Sequence, residues 1–332
     1  NTLIGASSGD ELTDADYNVA LGAFALGADT LGSRSIAIGY NALLAQNFTT
    51  ATDSNNVAIG WEANHNNTTG RYNISLGNKA SHVSTTANYN IAIGHAALAA
   101  EVAGNASTAV GYAALENQST ATSTTAANVA IGYAAGNDIT TGTRNTLVGT
   151  FAGDNLTTPL YNVAMGYGAL GADTKGGTAV ALGYVALGTQ NFTTATNNYN
   201  VGIGYDAGGD VTTGLYNTLV GGLAGNKLTD ADRNVAVGYA ALDADTLGER
   251  NVAIGYAALT NQNFTTATSS YNTAVGYQAG NDISTGTGNT CIGGNAGDEM
   301  TTGSTNTFVG YTSAGAGVVT GDNNTGIGVE SG

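Results

Sequence analysis

Nineteen times in 332 residues a short apolar run ends in glycine, as in Asn128-Val129-Ala130-Ile131-Gly132. The glycines fall at Gly5, Gly22, Gly39, Gly60, Gly77, Gly94 and so on to Gly310 and Gly328, at intervals of 17 or 21 residues and a last one of 18. Three intervals of 17 and one of 21 make a longer period of 72 residues. A repeat this short holds one circuit of backbone, so copies must stack and bury a shared core.

Positions are counted from the anchor glycine. Position −4 is Asn in sixteen of nineteen units; the exceptions, Ser35, Ser107 and Ala179, are themselves 72 apart. Val, Thr or Ile at −3, Ala at −2 and Ile, Val or Leu at −1 alternate with period two, which predicts a strand with one buried face. Tyr stands at +1 in ten units, Ala is common at +3, and an apolar residue near +7 often precedes Thr-Thr-Gly. Glycines at 0 and +10 mark two turns. Each unit therefore predicts two short strands and two turns, with no room for a helix. The fold class is all-β: one continuous parallel β-solenoid or β-roll over 1–332, with about 19 coils and a length of about 85 Å at a strand spacing of about 4.8 Å. Asn128, Asn145, Asn162, Asn217, Asn234 and Asn251 are expected to stack as an amide ladder.

Such a coil encloses a thin core, and the stripes after the anchor need cover. Three chains around one axis, intertwined or side by side, would supply it. A homotrimer is therefore the expectation and a monomeric solenoid the alternative. Every fourth unit holds four extra residues at one place, as in Gln46-Asn47-Phe48-Thr49-Thr50-Ala51-Thr52, with counterparts at Gln190 and Gln262 and a variant at Gln118. These read as Thr-rich loops projecting from one face.

Composition fits self-packing. Gly contributes 50 residues, charged residues only 10%, and the net charge is −16. Such a surface repels phosphate backbones and anionic lipid, so neither nucleic acid nor a membrane is an expected partner. No run of about 20 apolar residues is present, so no membrane insertion is expected. Cys291 is the sole cysteine. The chain opens inside a repeat, at Asn1-Thr2-Leu3-Ile4-Gly5, which suggests a processed product or a fragment of a longer fibre.

The units resemble two families. Asn251-Val252-Ala253-Ile254-Gly255 and Asn128-Val129-Ala130-Ile131-Gly132 are similar to the head repeats of trimeric autotransporter adhesins. Asn272-Thr273-Ala274-Val275-Gly276-Tyr277-Gln278-Ala279-Gly280 looks still more like the units of phage and bacterial tail-fibre-domain proteins. The resemblance runs the length of the chain and implies a trimeric left-handed parallel β-roll. The unit is longer than the autotransporter repeat, and these residues include no coiled-coil stalk, membrane anchor or chaperone domain. Phage and cell-surface origins both stay open.

Catalysis needs a few unique residues held in one cleft, whereas this sequence repeats itself, so no enzyme and no catalytic residue is expected. His65 and His82 both fall at +5 and could stack as metal ligands or stand as turn residues; His95 replaces a +1 Tyr. No metal site or cofactor is assigned. Calcium could bridge the acidic turns at Asp10, Glu11, Asp14 and Asp16, at Asp230 and Asp232, or at Asp298 and Glu299, but the Gly-Gly-x-Gly-x-Asp repeat of calcium β-rolls does not recur. Gly202-Ile203-Gly204-Tyr205-Asp206-Ala207-Gly208 lacks the Gly-Lys-Ser/Thr of a phosphate loop.

The candidate binding residues are Phe48, Phe192 and Phe264 on the long loops, and Tyr239 and Tyr256 in the Tyr column, which could hold sugar rings or seal a chain interface. Asn47, Asn191 and Asn263 head Asn-Phe-Thr glycosylation acceptor sequences. The expected function is an extracellular structural and adhesive fibre, a virion tail fibre or surface adhesin. It would assemble laterally or end to end and attach to a cell-surface glycan or protein. An ice-binding solenoid, suggested by Thr-Thr at +8 and +9, and a polysaccharide-binding or polysaccharide-degrading fibre are the alternatives.

Overall fold

The computed structural model describes residues 1–314 and 319–331. They form two compact units, Asn1–Asn162 and Val163–Gly332. Both are parallel β-solenoids with one coil per repeat, nineteen coils in all, and no helix occurs among the described residues. The first unit holds nine three-residue strands from Thr2–Ile4 to Thr146–Val148; the second holds ten, from Val163–Met165 to Thr325–Ile327. Within each unit the register advances by one repeat. Val19 pairs with Ile36 and Val129 with Thr146 in the first, and Val180 with Val201 in the second.

The anchor glycine is fixed twice over. At Gly111 φ is +137°, and a Cβ would stand 2.2 Å from the carbonyl oxygen of Gly132 one coil on. No L side chain fits that backbone or that space.

The two strands expected per coil reduce to one. Beyond the anchor, positions +2 and +4 adopt positive φ, as at Phe24 (58°) and Leu26 (55°), and −5 does so again, as at Arg34 (64°). Left-handed residues cost about 1–2 kcal/mol each outside glycine, and here that cost is offset by bonds to both neighbouring coils. The Phe24 N–H reaches back to Ala6 (2.9 Å), and the Leu26 N–H reaches forward to Ala42 (3.0 Å). The backbone is thus hydrogen-bonded between coils without being extended. Among the described residues a second strand, two residues long, forms only beside long coils: Gly32–Ser33 with Thr52–Asp53, Gly176–Gly177 with Thr196–Asn197, and Gly248–Glu249 with Thr268–Ser269.

The buried strand residue is the small one. Ala20, Ala37 and Ala58 at −2 are fully buried with Ala25, Ala42 and Ala63 at +3, while the larger aliphatic residues at −3 and −1 face outward. Where +3 and +4 also carry side chains the opposed walls leave room for a methyl group at −2; the larger Leu147 and Leu219 at −2 sit opposite Gly153 and Gly225 at +4.

Positions +4 and +7 compete for the remaining core space. Leu26, Leu98, Leu170 and Leu242 at +4 accompany Asp29, Glu101, Asp173 and Asp245 at +7, and the next coil pairs Leu43, Leu115, Leu187 and Leu259 with Gln46, Gln118, Gln190 and Gln262. The apolar +7 residue expected from the sequence appears only where +4 is Gly, as in Gly136 with Ile139 and Gly208 with Val211. A Cβ on Gly136 would sit 2.6 Å from Leu147 and 3.2 Å from Ile139.

Candidate functional site

The asparagine ladder exists, but its bonds run to the backbone. Asn128 Oδ1 accepts the N–H of Asn145 at 2.9 Å and Asn145 Oδ1 that of Asn162 at 3.0 Å; in the second unit Asn217 serves Asn234, and Asn234 serves Asn251, both at 2.9 Å. The amide nitrogens donate sideways across the coil, Asn128 to Gly142 O (2.7 Å) and Asn217 to Ala231 O (2.7 Å). Direct amide-to-amide bonds occur as additions, from Asn145 to Asn128 and from Asn251 to Asn234, each 3.2 Å. The left-handed residue at −5 interrupts the ladder of peptide bonds, and the side chain bridges the interruption.

Phe48, Phe192 and Phe264 are buried, at 5–6% exposure, which corrects their placement as exposed loop contacts. Each packs over a glycine of the preceding coil: a Cβ on Gly32 would lie 2.8 Å from the Phe48 ring, and one on Gly176 would lie 2.8 Å from that of Phe192. The loop stem is fastened by a buried carboxylate. Asp29 Oδ1 accepts the N–H groups of Gly32 (3.0 Å) and Phe48 (3.2 Å), and Oδ2 accepts Gln46 Nε2 at 2.6 Å. Asp173 and Asp245 repeat this arrangement. In the variant loop the longer Glu101 accompanies Thr120 in place of Phe, and the Thr120 hydroxyl donates to it at 2.7 Å. Burial raises the Asp245 carboxyl above its ordinary value, against the bonds it accepts. These four acids escaped the sequence reading, although they too lie 72 residues apart. Thr49, Thr50 and Ala51 beyond the stem do project into solvent.

All seventeen tyrosines are exposed, ten at +1 and seven at −5, and within each unit the two positions form separate columns. The +1 rings stack coil on coil. Tyr239 and Tyr256 lie 5.6 Å apart, and Tyr256 and Tyr277 lie 5.4 Å apart. The −5 column was not recognised in the sequence, because arginines interrupt it. All five arginines lie against it: Arg34 over Tyr17, Arg71 over Tyr72, Arg144 over Tyr161, Arg233 over Tyr216 and Arg250 over Tyr271, at 5.5–5.8 Å. Cation and ring attract at this range.

His65 and His82 stack at 5.3 Å, and His82 Nε2 meets Glu62 at 3.2 Å. Burial, then the neighbouring His65, lowers the His82 pKa despite Glu62. Among the described residues no group of three or more His, Cys, Asp or Glu is arranged to hold a metal ion. Asp10, Glu11, Asp14 and Asp16 are exposed. Asp230 and Asp232 serve coil-to-coil bonds, accepting from Thr213 Oγ1 (2.6 Å) and the Leu215 N–H (2.7 Å). The Cys291 thiol, buried at a −2 position, is pushed up to about 12 and is inert as a nucleophile. Threonine hydroxyls at +8 donate to the next coil's +8 carbonyl, as from Thr68 to Thr85 (3.0 Å) and from Thr140 to Thr157 (3.2 Å). No described helix is long and apolar enough to cross a membrane.

One place breaks the pattern. A cleft of about 540 Å³ opens along the +1 column of the first unit, lined by Trp61, Asn78, Lys79, His82, His95 and Glu116 among others. Trp61 is the only tryptophan, and two of the three histidines are here. Lys79 Nζ lies 5.0 Å from the indole centroid, and His95 stacks on Tyr112 at 5.1 Å. The sequence reading passed over this cluster because it took His95 as a substitute for the +1 tyrosine; Trp61 stands at the same position. No protein-family model, curated protein or solved structure matches the chain.

Proposed function

We propose that the chain is a non-catalytic structural and adhesive segment of an extracellular fibre, on a virion or a cell surface, and that it works as a homotrimer. One observation carries this reading. In both units the coils present the same kind of outward face, with a β-branched residue at −3, Ile, Val, Leu or Met at −1, and Tyr or Arg on the −5 margin of eleven coils. Ile93, Ile131, Met165, Ile254 and Ile292 at −1 are each about two-fifths exposed. An apolar stripe that recurs in every coil suits a partner with the same repeat, and a second and third copy of this chain are such partners. The motif resemblance to tail-fibre and autotransporter repeats supports the same reading.

The threonines at +8 commit their hydroxyl protons to the next coil, as Thr68 and Thr140 do, so an ice-binding face would rest on the +9 threonines alone. Sedimentation equilibrium with negative-stain imaging tests the proposal. Three times the chain mass of 32.9 kDa, in elongated particles, is expected. Ile93→Asp with Ile131→Asp should reduce the assembly to single chains. A single-chain mass for the unmodified protein would overturn the trimer.

A further inference from the structure

We infer that the cleft between Trp61 and His95 is a binding site for one pyranose ring of a neutral oligosaccharide with equatorial hydroxyls. The +1 column supplies the geometry. Rings occupy it in runs, such as His95, Tyr112 and Tyr133, whose neighbours stack at 5.1 Å. The run breaks at Asn78, and the ring-bearing positions on either side, Trp61 and His95, are two coils apart. Two strand spacings amount to about 10 Å. One flat guest between two rings needs about 7–8 Å at ordinary contact distances. The same break recurs at Thr150, Gly222 and Gly294, but beside Thr150 the Phe151 ring meets Tyr133 edge-on at 5.4 Å, and at the glycines the following tyrosine leans over: a Cβ would meet Tyr239 at 3.5 Å and Tyr311 at 3.4 Å.

The lining suits a sugar. The weakly positive C–H face of a pyranose lies well on the negative face of an indole, and its hydroxyls then point to polar groups at the rim. Asn78 is exposed and offers both an amide donor and an acceptor. Glu116 is a carboxylate acceptor that already holds Asn137 Nδ2 at 3.1 Å. Lys79, over the indole, is long enough to swing aside and donate. Charge narrows the class further. Lys79 and Glu116 oppose each other, and a chain of net charge −16 repels an acidic glycan.

The interior of these coils is unusual as well. Asn64, Asn67, Ser75 and Ser81, all within the coils that carry Trp61 and Asn78, are buried, and Asn64 Oδ1 and Nδ2, Asn67 Oδ1, Ser75 Oγ and Ser81 Oγ have no partner within the chain. Each such group costs about 1–3 kcal/mol. Departures from an otherwise uniform pattern, inside and outside the same coils, mark sites shaped by something besides stability.

Trp61 is its own reporter. Cellotetraose and chitotetraose are titrated into the full chain while indole emission is followed, with calorimetry in parallel. A saturable change with a Kd of about 1 mM or tighter is expected. Asn78→Tyr puts into the gap the residue that ten other coils carry at +1. It should fold, melt as the parent does and lose at least tenfold in affinity. Trp61→Ala should abolish calorimetric binding. No response to either sugar at about 10 mM, unchanged binding by Asn78→Tyr, or tighter binding of a sialylated than of a neutral oligosaccharide would each overturn the inference. It adds a ligand class to the adhesive reading. Sugar binding and oligomeric mass are separate measurements, so either can fail alone.

Discussion

Two coil pairs in the first unit occupy the same place in the 72-residue period and differ in what they bury. The pair anchored at Gly132 and Gly149 fills its core with Ile139, Leu147 and Leu156, and its +4 positions are Gly136 and Gly153. The pair anchored at Gly60 and Gly77 has Asn67, Ser75 and Ser84 at the equivalent places, with Asn64 and Ser81 at +4. In backbone framework the two pairs are built alike. Anchor glycines, strand register and the −4 asparagine bonds are the same, including Asn56 Oδ1 to the Asn73 N–H at 2.9 Å and Asn128 Oδ1 to the Asn145 N–H at 2.9 Å. The coil is therefore specified by its backbone bonds and anchor glycine, and core side chains set how firmly a given coil is held.

The most damaging way to erase this difference is to convert the firm pair into the soft one. Leu147→Ser removes a fully buried side chain and introduces a hydroxyl among apolar neighbours. A loss of about 4 kcal/mol is expected from the cavity and the buried polar group together, read as a lower denaturation midpoint. A change below about 1 kcal/mol, the size of an ordinary surface substitution, would show that the core does not set coil stability.

The fastened loops come next. Asp173→Ala strips the acceptor from the N–H groups of Gly176 and Phe192 and from Gln190. About 3 kcal/mol should be lost, since buried donors without partners cost about 1–3 kcal/mol each. Rapid cleavage by protease between Thr193 and Thr196 should accompany it. An intact loop in the variant would mean that Phe192 alone pins the stem.

The reverse conversion should be milder and of opposite sign. Ser75→Leu combined with Asn64→Gly and Asn67→Ile gives the soft pair the side chains that Leu147, Gly136 and Ile139 supply in the firm one. A gain of about 2 kcal/mol is expected, less than full burial of two large apolar side chains because neighbouring Ser81 and Ser84 are unchanged. In the unmodified chain, amide exchange at Ile74–Leu76 should be faster than at Thr146–Val148, and the triple variant should close the gap. Equal exchange in the two strands at the outset would remove the comparison altogether.

Much of this was legible in the sequence. The anchor spacing showed the coil and the 72-residue period, because the anchor admits only glycine, and the stacked asparagines showed because Asn recurs at −4 in sixteen of nineteen coils. The left-handed residues at +2, +4 and −5 were not legible: Phe24, Leu26 and Arg34 do not advertise positive φ, which their inter-coil bonds impose. The exchange between +4 and +7 was hidden for a different reason. Leu26 with Asp29, and Gly136 with Ile139, look unrelated until both are placed in one core. The cleft at Trp61 escaped because aromatic residues in a column look interchangeable until the missing ring at Asn78 is noticed.

The smallest effect is electrostatic and compares the same two pairs. Position +5 of the second coil holds His82 in the soft pair and Asp154 in the firm one. Burial is the main cause of both shifts, and it disfavours charge in each case. It lowers His82 from 6.5, with His65 and Lys79 adding to the effect and Glu62 opposing it, and it raises Asp154 from 3.8, with Asp138 adding to it. As pH falls through 6.5, the unfolded chain therefore binds a proton at His82 before the native chain does, and the soft pair loses stability until the lowered folded value is passed. Asp154 works the other way. Its native carboxyl takes up the proton first, so the firm pair gains stability as pH falls through the raised value towards 3.8, and the gain is complete below it. Both groups are partly exposed, which keeps each effect under about 1 kcal/mol. Exchange protection, corrected for intrinsic rates, should fall at Ile74–Leu76 and rise at Thr146–Val148 between pH 7 and about pH 4. His82→Gln should flatten the first trend and leave the second. Parallel trends at the two strands would mean that the net charge of the chain, and not these two residues, governs the response.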